Sequence, residues 1–188
     1  MKTLIIAEHN NEKLKTLTLN SITAASKISD DIEAIVIGHS INGAVEELKS
    51  CEKLKKIFAV DNEIFKNQLA EPMSFYLKEF LKENAYTHIL APSSTFGKNL
   101  MPKVATHLDV QQISDISNVI DGDIFERPIY AGNAIAKVRS HDKIKVITVR
   151  STCFEACKTD SNNVEVVKSE IGLNNELNVN FVDYELSK

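Results

Sequence analysis

The densest group of residues able to do chemistry lies in Ala91-Pro92-Ser93-Ser94-Thr95-Phe96-Gly97-Lys98-Asn99-Leu100. Hydroxyls at 93, 94 and 95 followed by Lys98 could hold a phosphate or a carboxylate, provided that they stand at a helix start where backbone N–H groups and the helix dipole favour an anion. The structural account is simpler: a hydroxyl residue caps the helix, Gly97 eases the turn, and Pro102 is tolerated near the helix start. The glycine spacing fits neither a phosphate loop nor a dinucleotide fingerprint, which favours capping. Glu8-His9 is a second candidate, placed at the end of an apolar run; a lone histidine there more often orders a turn than acts as a catalyst. The five histidines, His9, His39, His88, His107 and His141, never fall at metal-ligand spacing from one another. No Ser/His/Asp or Cys/His grouping assembles from the sequence, so no catalytic residue is assigned.

A third candidate is Glu126-Arg127-Pro128-Ile129-Tyr130-Ala131-Gly132-Asn133-Ala134. Two strand patterns converge on Ala131-Gly132-Asn133, which predicts a tight turn or bulge with Gly or Asn at positive φ. Pro128 marks an edge or a break in pairing. Arg127 and Tyr130 are residue types favoured at protein–protein hot spots, although an ordinary hairpin explains the pattern equally well. Cys51, Cys153 and Cys157 are sparse and odd in number. The spacing of Cys153 and Cys157 matches neither a zinc knuckle nor a redox dithiol motif, and reduced cysteines in a reducing compartment are expected.

These candidates must be positioned by alternating strands and helices. Residues 3–7, 33–38, 56–60 and 88–91 are apolar runs suited to strands buried on both faces, the last stopped by Pro92. Helical stripes run from Leu14 to Ile28, over 44–48, over 75–84, and through Leu100, Val104 and Leu108. Strands and helices in alternation predict an α/β fold with a mostly parallel twisted sheet and helices on both faces. After about residue 115 the pattern changes. Segments 117–120, 124–130, 133–139 and 143–150 are strand-like and joined by short turns, which predicts an antiparallel extension in the C-terminal third. Residues 157–180 lack a sustained period and read as a linker or loose excursion, with one more edge strand at Phe181-Val182-Asp183-Tyr184.

A chain of 188 residues with 43% hydrophobic and 26% charged residues is one ordinary globular domain with or without a tail. A net charge of -4 and a pI near 5.8 argue against nucleic-acid binding. The basic run Lys53-Leu54-Lys55-Lys56 reads as the solvated end of a helix. The opening Met1-Lys2 followed by Thr3-Leu4-Ile5-Ile6-Ala7 is too short for a membrane span and carries no cleavage site, so neither a signal or transit peptide nor membrane insertion is expected. A bacterial cytoplasm fits best, ahead of the mitochondrial matrix, where a processed organellar protein would look the same.

Read in order, several segments resemble the alpha subunit of electron transfer flavoproteins. Ala7-Glu8-His9 is followed by Leu19-Asn20-Ser21-Ile22-Thr23-Ala24-Ala25, then Tyr86-Thr87-His88-Ile89-Leu90-Ala91 and Phe96-Gly97-Lys98-Asn99-Leu100-Met101-Pro102-Lys103-Val104-Ala105. The match continues through Ile113-Ser114-Asp115-Ile116, Ile129-Tyr130-Ala131-Gly132-Asn133-Ala134 and Val149-Arg150 with Phe154, covering about residues 3–156.

The resemblance implies an adenine-nucleotide-alpha-hydrolase-like domain over 1–156, and a variable tail over 157–188 leading toward an FAD domain that this sequence does not contain. It further implies an electron-carrier subunit of a heterodimer with one FAD, taking electrons from acyl-CoA and related dehydrogenases to a membrane quinone oxidoreductase. FAD would be held mainly by the carboxy-terminal domain and AMP by the partner beta subunit, so no cofactor-binding residue is assigned here. On that basis Ser93, Ser94, Phe96, Lys98, Asn99, Arg127, Tyr130 and Asn133 become candidates for interface or domain packing. A stand-alone adenine-nucleotide-binding module such as a universal stress protein is the competing reading, though its glycine-rich phosphate loop has no counterpart. A small hydrolase lacks a nucleophile and base.

Overall fold

The structure is a computed structural model that describes residues 1–160, 163–169, 179–183 and 185. The chain order is β1 (Thr3–Ile6), α1 (Thr16–Ser26), β2 (Ile32–Gly38), α2 (Asn42–Lys49), β3 (Lys56–Asp61), α3 (Ala70–Glu83), β4 (His88–Pro92), α4 (Thr95–Leu108) and β5 (Gln112–Ile116), then β6 (Asn118–Asp121), β7 (Ile124–Ile129), β8 (Ala134–Arg139), β9 (Lys145–Val149) and β10 (Glu165–Lys168). Among the described residues two sheets form. One is a seven-stranded parallel sheet in the order β10-β3-β2-β1-β4-β9-β5, and the other a three-stranded antiparallel sheet in the order β6-β7-β8.

The apolar runs become the central strands because both of their faces are covered. Ile5, Ala34 and Val36 face α1 and α2 through Ile22, Ala25, Ala44 and Leu48. Leu4, Ile6, Ile35 and Ile37 face α3 and α4 through Met73, Leu77, Phe80, Leu100 and Val104. The two helix layers and the expected α/β sheet are therefore as the sequence predicts. The small sheet packs on the α1/α2 side, where Phe125 and Val119 enter the same core as Ile147 and Val149.

Several expectations are corrected. The segment 143–150 does not extend the antiparallel sheet: β9 enters the main sheet between β4 and β5 and pairs parallel with both. Its residues alternate between the two cores, Val146 on one side and Ile147 and Val149 on the other. A short connection implies an antiparallel neighbour only when the chain stays in one sheet, and here it changes sheets. The strand β5 escapes a pattern search because Asp115 takes φ 61° and shifts the register between Ile113 and Ile116. Pro92 does not stop β4; it is its last residue, opposite Val149. Pro102 lies inside α4, on its exposed side, rather than near its start. The basic run lies between α2 and β3 and enters β3, with Lys55 3.6 Å from Asp31 and Lys56 3.9 Å from Glu165.

Within the tail, β10 pairs parallel with β3 although its side chains are mostly exposed. Phe181, Val182 and Asp183 form no strand, and Tyr184 lies outside the described residues. No helix among the described residues is long and apolar enough to cross a membrane.

Candidate functional site: a cleft at the carboxyl edge

The strand order places the topological switch between β1 and β4, because β2 and β3 build outward on one side of β1 while β4, β9 and β5 lie on the other. In open α/β sheets ligands bind outside the carboxyl ends at that point. Here the point is bridged by the protein itself. Glu8, just beyond β1, is anchored by a reciprocal pair in which its N–H donates to Thr18 Oγ1 at 2.9 Å and Thr18 Oγ1 donates to its carbonyl at 3.1 Å. Its Oε2 accepts a 2.6 Å hydrogen bond from Ser94 Oγ. Ser94 is also the N-cap of α4, its Oγ accepting from the Gly97 N–H at 3.3 Å. A side chain at Gly97 has no room, since a Cβ would stand 1.9 Å from the Pro92 carbonyl oxygen. The glycine serves close packing of strand on helix, not the approach of a phosphate.

Beside this bridge lies a cleft of about 280 Å³ lined by Leu17, Ser93, Ser94, Lys98, Asp115 and Arg150, with Ser151 and Thr152 completing its rim. Parallel register brings the acid and the base together: Ile116 of β5 lies opposite Val149 of β9, so Asp115 and Arg150 stand side by side. Arg150 Nε donates to Asp115 Oδ2 at 3.0 Å, and Nη2 donates to the same oxygen. The Asp115 N–H donates to Thr148 Oγ1 at 2.8 Å, and the Arg150 N–H to the Ile116 carbonyl at 2.9 Å. Burial works against ionisation of Asp115, but Arg150, the Ser93 hydroxyl and the Lys98 charge together hold its carboxyl below its usual value.

His9, next to Glu8, serves the fold. It is almost fully buried, its Nε2–H donates to the Ile37 carbonyl at 3.1 Å, and its Nδ1 accepts from the Asn11 N–H at 3.0 Å. Burial pushes its pKa down to about 4, against the hydrogen bond to Ile37. A histidine with both nitrogens committed cannot act as base to Ser94. His88 is likewise committed, Nε2 to the Gly122 carbonyl at 2.6 Å and Nδ1 to Thr87 Oγ1 at 2.9 Å. No cluster of metal-ligating side chains is present among the described residues.

Of the residues singled out in the sequence, Ser93, Ser94 and Lys98 therefore share the cleft. Phe96 turns into the α3/α4 core, and Asn99 is exposed on α4. Arg127, Tyr130 and Asn133 lie apart, on the small sheet. Arg127 shares the inward side of β7 with Phe125, so it is half-buried, and its Nε lacks a hydrogen-bond partner. A tight turn forms where expected, but positive φ falls on Tyr130 (49°) and Ala131 (53°) as well as Gly132 (91°), while Asn133 keeps a φ of -73°. Asn133 Nδ2 closes it by donating to the Tyr130 carbonyl at 3.0 Å. The Tyr130 side chain projects, 80% exposed. Sequence reasoning assigned no role to Asp115 and Arg150; 35 residues separate them and only the strand register joins them.

A family model described as electron transfer flavoprotein domain matches residues 3–171. The chain belongs to this family. Among curated relatives, the electron transfer flavoprotein subunit alpha of Pseudomonas aeruginosa is 44% identical over 166 residues, covering 88% of this chain and 53% of the relative. The mitochondrial subunit alpha of Dictyostelium discoideum is 40% identical over 172 residues, covering 88% and 48%. A probable mitochondrial subunit alpha of Caenorhabditis elegans is 37% identical over 186 residues, covering 99% and 56%. The chain spans about half the length of these relatives.

The family name raises the question of a flavin. The cleft does not fit one. At about 280 Å³ it falls below the range of about 300–1,000 Å³ usual for ligand sites. The Glu8 carboxylate spans the switch point where a pyrophosphate would lie, and the glycine nearest the helix start is filled by the Pro92 carbonyl.

Proposed function

We propose that this chain is the amino-terminal α/β part of an electron transfer flavoprotein alpha subunit, and that it serves as scaffold and as docking surface for the beta subunit. The whole heterodimer carries one FAD, with AMP in the beta subunit, and passes electrons from acyl-CoA and related dehydrogenases to a membrane quinone oxidoreductase. In that reading the chain is an electron-carrier component rather than an enzyme, residues 1–156 are its docking body, the tail over 157–188 leads toward the FAD-holding part, and a bacterial cytoplasm is its compartment. Family membership and relatives named subunit alpha support this role.

The observation that carries the docking role is the β7–β8 hairpin. Its inward side is anchored by the fully buried Phe125, yet exposure rises along the strands to 80% at Tyr130, and Ile135 on the outer side is 59% exposed. Isolated exposed apolar residues are common, but an aromatic held out by a rigid turn is the kind of anchor that dominates interfaces. Ser93, Ser94 and Lys98 at the cleft, with Asn99 exposed on α4, supply a second, polar surface.

Co-expression with the beta subunit tests both parts. The expected result is a single complex with one copy of each chain on size-exclusion chromatography, weakened about 30-fold by Tyr130→Ala, the equivalent of a hot spot of about 2 kcal/mol. Separate elution of the two unsubstituted chains would overturn the assignment. Unchanged affinity in Tyr130→Ala would leave the heterodimer standing and remove the hairpin from its interface.

A further inference from the structure

The spacing of Cys153 and Cys157 suggests no pairing, and the structure brings a different pair together. Cys51 lies just beyond α2 and is fully buried; Cys157, 106 positions later, is 8% exposed. Their sulfurs are 2.9 Å apart. That is less than about 1 Å beyond a covalent S–S bond of about 2.05 Å. The backbones on both sides are already tied. Cys51 forms an antiparallel bridge with Thr159, the Asp160 N–H donates to the Ser50 carbonyl at 2.9 Å, and the Glu52 N–H donates to the Lys158 carbonyl at 3.4 Å. The Cys157 N–H donates to the Leu19 carbonyl at 3.1 Å. Bond formation thus asks for a sub-ångström approach of two held side chains and no change of fold.

We propose that Cys51 and Cys157, brought into contact where the tail crosses the end of α2, form a thiol–disulfide switch that takes low-molecular-weight disulfides as its oxidant. The roles of the two sulfurs follow from their surroundings. A hydrogen bond from the Cys51 thiol brings the Cys157 thiol down to about 7, although burial opposes this, and the same contact together with burial pushes Cys51 up. Cys157 is also the more accessible of the two, so it attacks first. Its thiolate displaces one thiolate from the small disulfide and forms a mixed disulfide. Cys51 then gives up its proton and attacks the Cys157 sulfur, expelling the second small thiolate. The two cysteines lose two electrons, the small disulfide gains them, and the two thiol protons end on the two released thiols.

The closed bond would fix what burial does not. β10 follows shortly after Cys157 and holds the sheet edge with mostly exposed side chains. Just past its end, Ser169 Oγ accepts a 2.8 Å hydrogen bond from Tyr76 Oη. A covalent link closing a loop of this length restricts the unfolded chain strongly, and in a domain of this size it raises the melting temperature by about 5–10 °C.

The protein bearing Cys153→Ser, a change at an exposed position, is incubated with glutathione disulfide. Expected are simultaneous loss of both remaining thiols, a Cys51–Cys157 cross-linked peptide in the mass map, a melting temperature higher by about 5–10 °C, and reversal of all three by dithiothreitol. Adding Cys51→Ser should trap a single glutathione adduct on Cys157. A stable adduct on either cysteine of the Cys153→Ser protein, or two thiols that still alkylate fully after oxidant treatment and brief unfolding, would overturn the switch.

Discussion

The two sheets spend their polar and apolar groups in opposite ways. At the carboxyl edge of the parallel sheet most conspicuous side chains are answered from within the chain, Ser94 by Glu8, Arg150 by Asp115, and His9 by the backbone of Ile37 and Asn11, while the buried Ser93 Oγ has no hydrogen-bond partner in good geometry. On the antiparallel sheet one side is anchored in the core through Phe125, whereas Tyr130 and Ile135 on the other remain exposed. The position where folds of this kind usually hold a ligand is thus largely self-satisfied, and the appendage carries the exposed apolar surface. For the scaffold role proposed above this is the expected division, because a partner needs an accessible anchor while an unanswered carboxylate in a cleft would only destabilise the body.

The sharpest way to break this comparison is to cut the appendage's anchor. Phe125→Ala leaves a cavity where the two sheets meet and should cost about 3–5 kcal/mol in urea denaturation. If the small sheet were merely laid on the body, the cost would fall below about 1 kcal/mol, and the distinction between its inner and outer sides would fail. The next largest effect concerns the body and its pH dependence. His9 titrates near 4 when folded and near 6.5 when unfolded, so the folded state prefers the neutral ring. The stability it protects is complete above about pH 6.5 and is lost as pH falls from there toward 4, up to about 3 kcal/mol. Urea midpoints measured between pH 7 and 4.5 should drop steeply in the unsubstituted protein. In His9→Gln the drop over the same range should be much shallower.

How far these features could be read beforehand follows from the distance over which each is encoded. The central strands and both helix layers were legible because a strand buried on two faces, or a helix buried on one, writes its burial into neighbouring residues. The place of the Tyr130–Asn133 turn was legible for the same reason, but not that Tyr130 and Ala131 rather than Asn133 take positive φ. The fate of β9 was not, since nothing within 143–150 says whether the chain stays in the small sheet or crosses to the large one. The Asp115–Arg150 and Cys51–Cys157 contacts were illegible too, as register and chain crossing bring those residues together rather than spacing. Nor could chemistry supply the function: the hydroxyls, Lys98, Asp115 and Arg150 gathered in the cleft name no particular reaction, and the family resemblance alone pointed to electron transfer.

The cleft pair should be far less important to stability than its geometry suggests. Arg150 and Asp115 keep 42% and 25% of their side chains exposed. A double-mutant cycle with Asp115→Asn and Arg150→Gln should return a coupling below about 1 kcal/mol at neutral pH. The pH sign separates it from His9. Because the folded carboxyl sits below its unfolded value, the contribution is present above about pH 4 and is lost only as pH falls through the lower folded value. A coupling that vanished already between pH 6.5 and 5 would assign the effect to another group.

The smallest expected effect on stability completes the comparison, because it falls on the same hairpin as the largest. Tyr130 and Phe125 are both aromatic and five residues apart, yet one is 80% exposed and the other fully buried. Removing the Tyr130 ring takes little apolar surface out of the folded state that the unfolded state does not also expose, and the turn is held by Asn133 and the backbone rather than by the ring. Tyr130→Ala should therefore change the urea midpoint by no more than the equivalent of about 0.5 kcal/mol. A loss of 2 kcal/mol or more in the isolated protein would show that the ring packs within the chain, and its exposure would no longer argue for a partner.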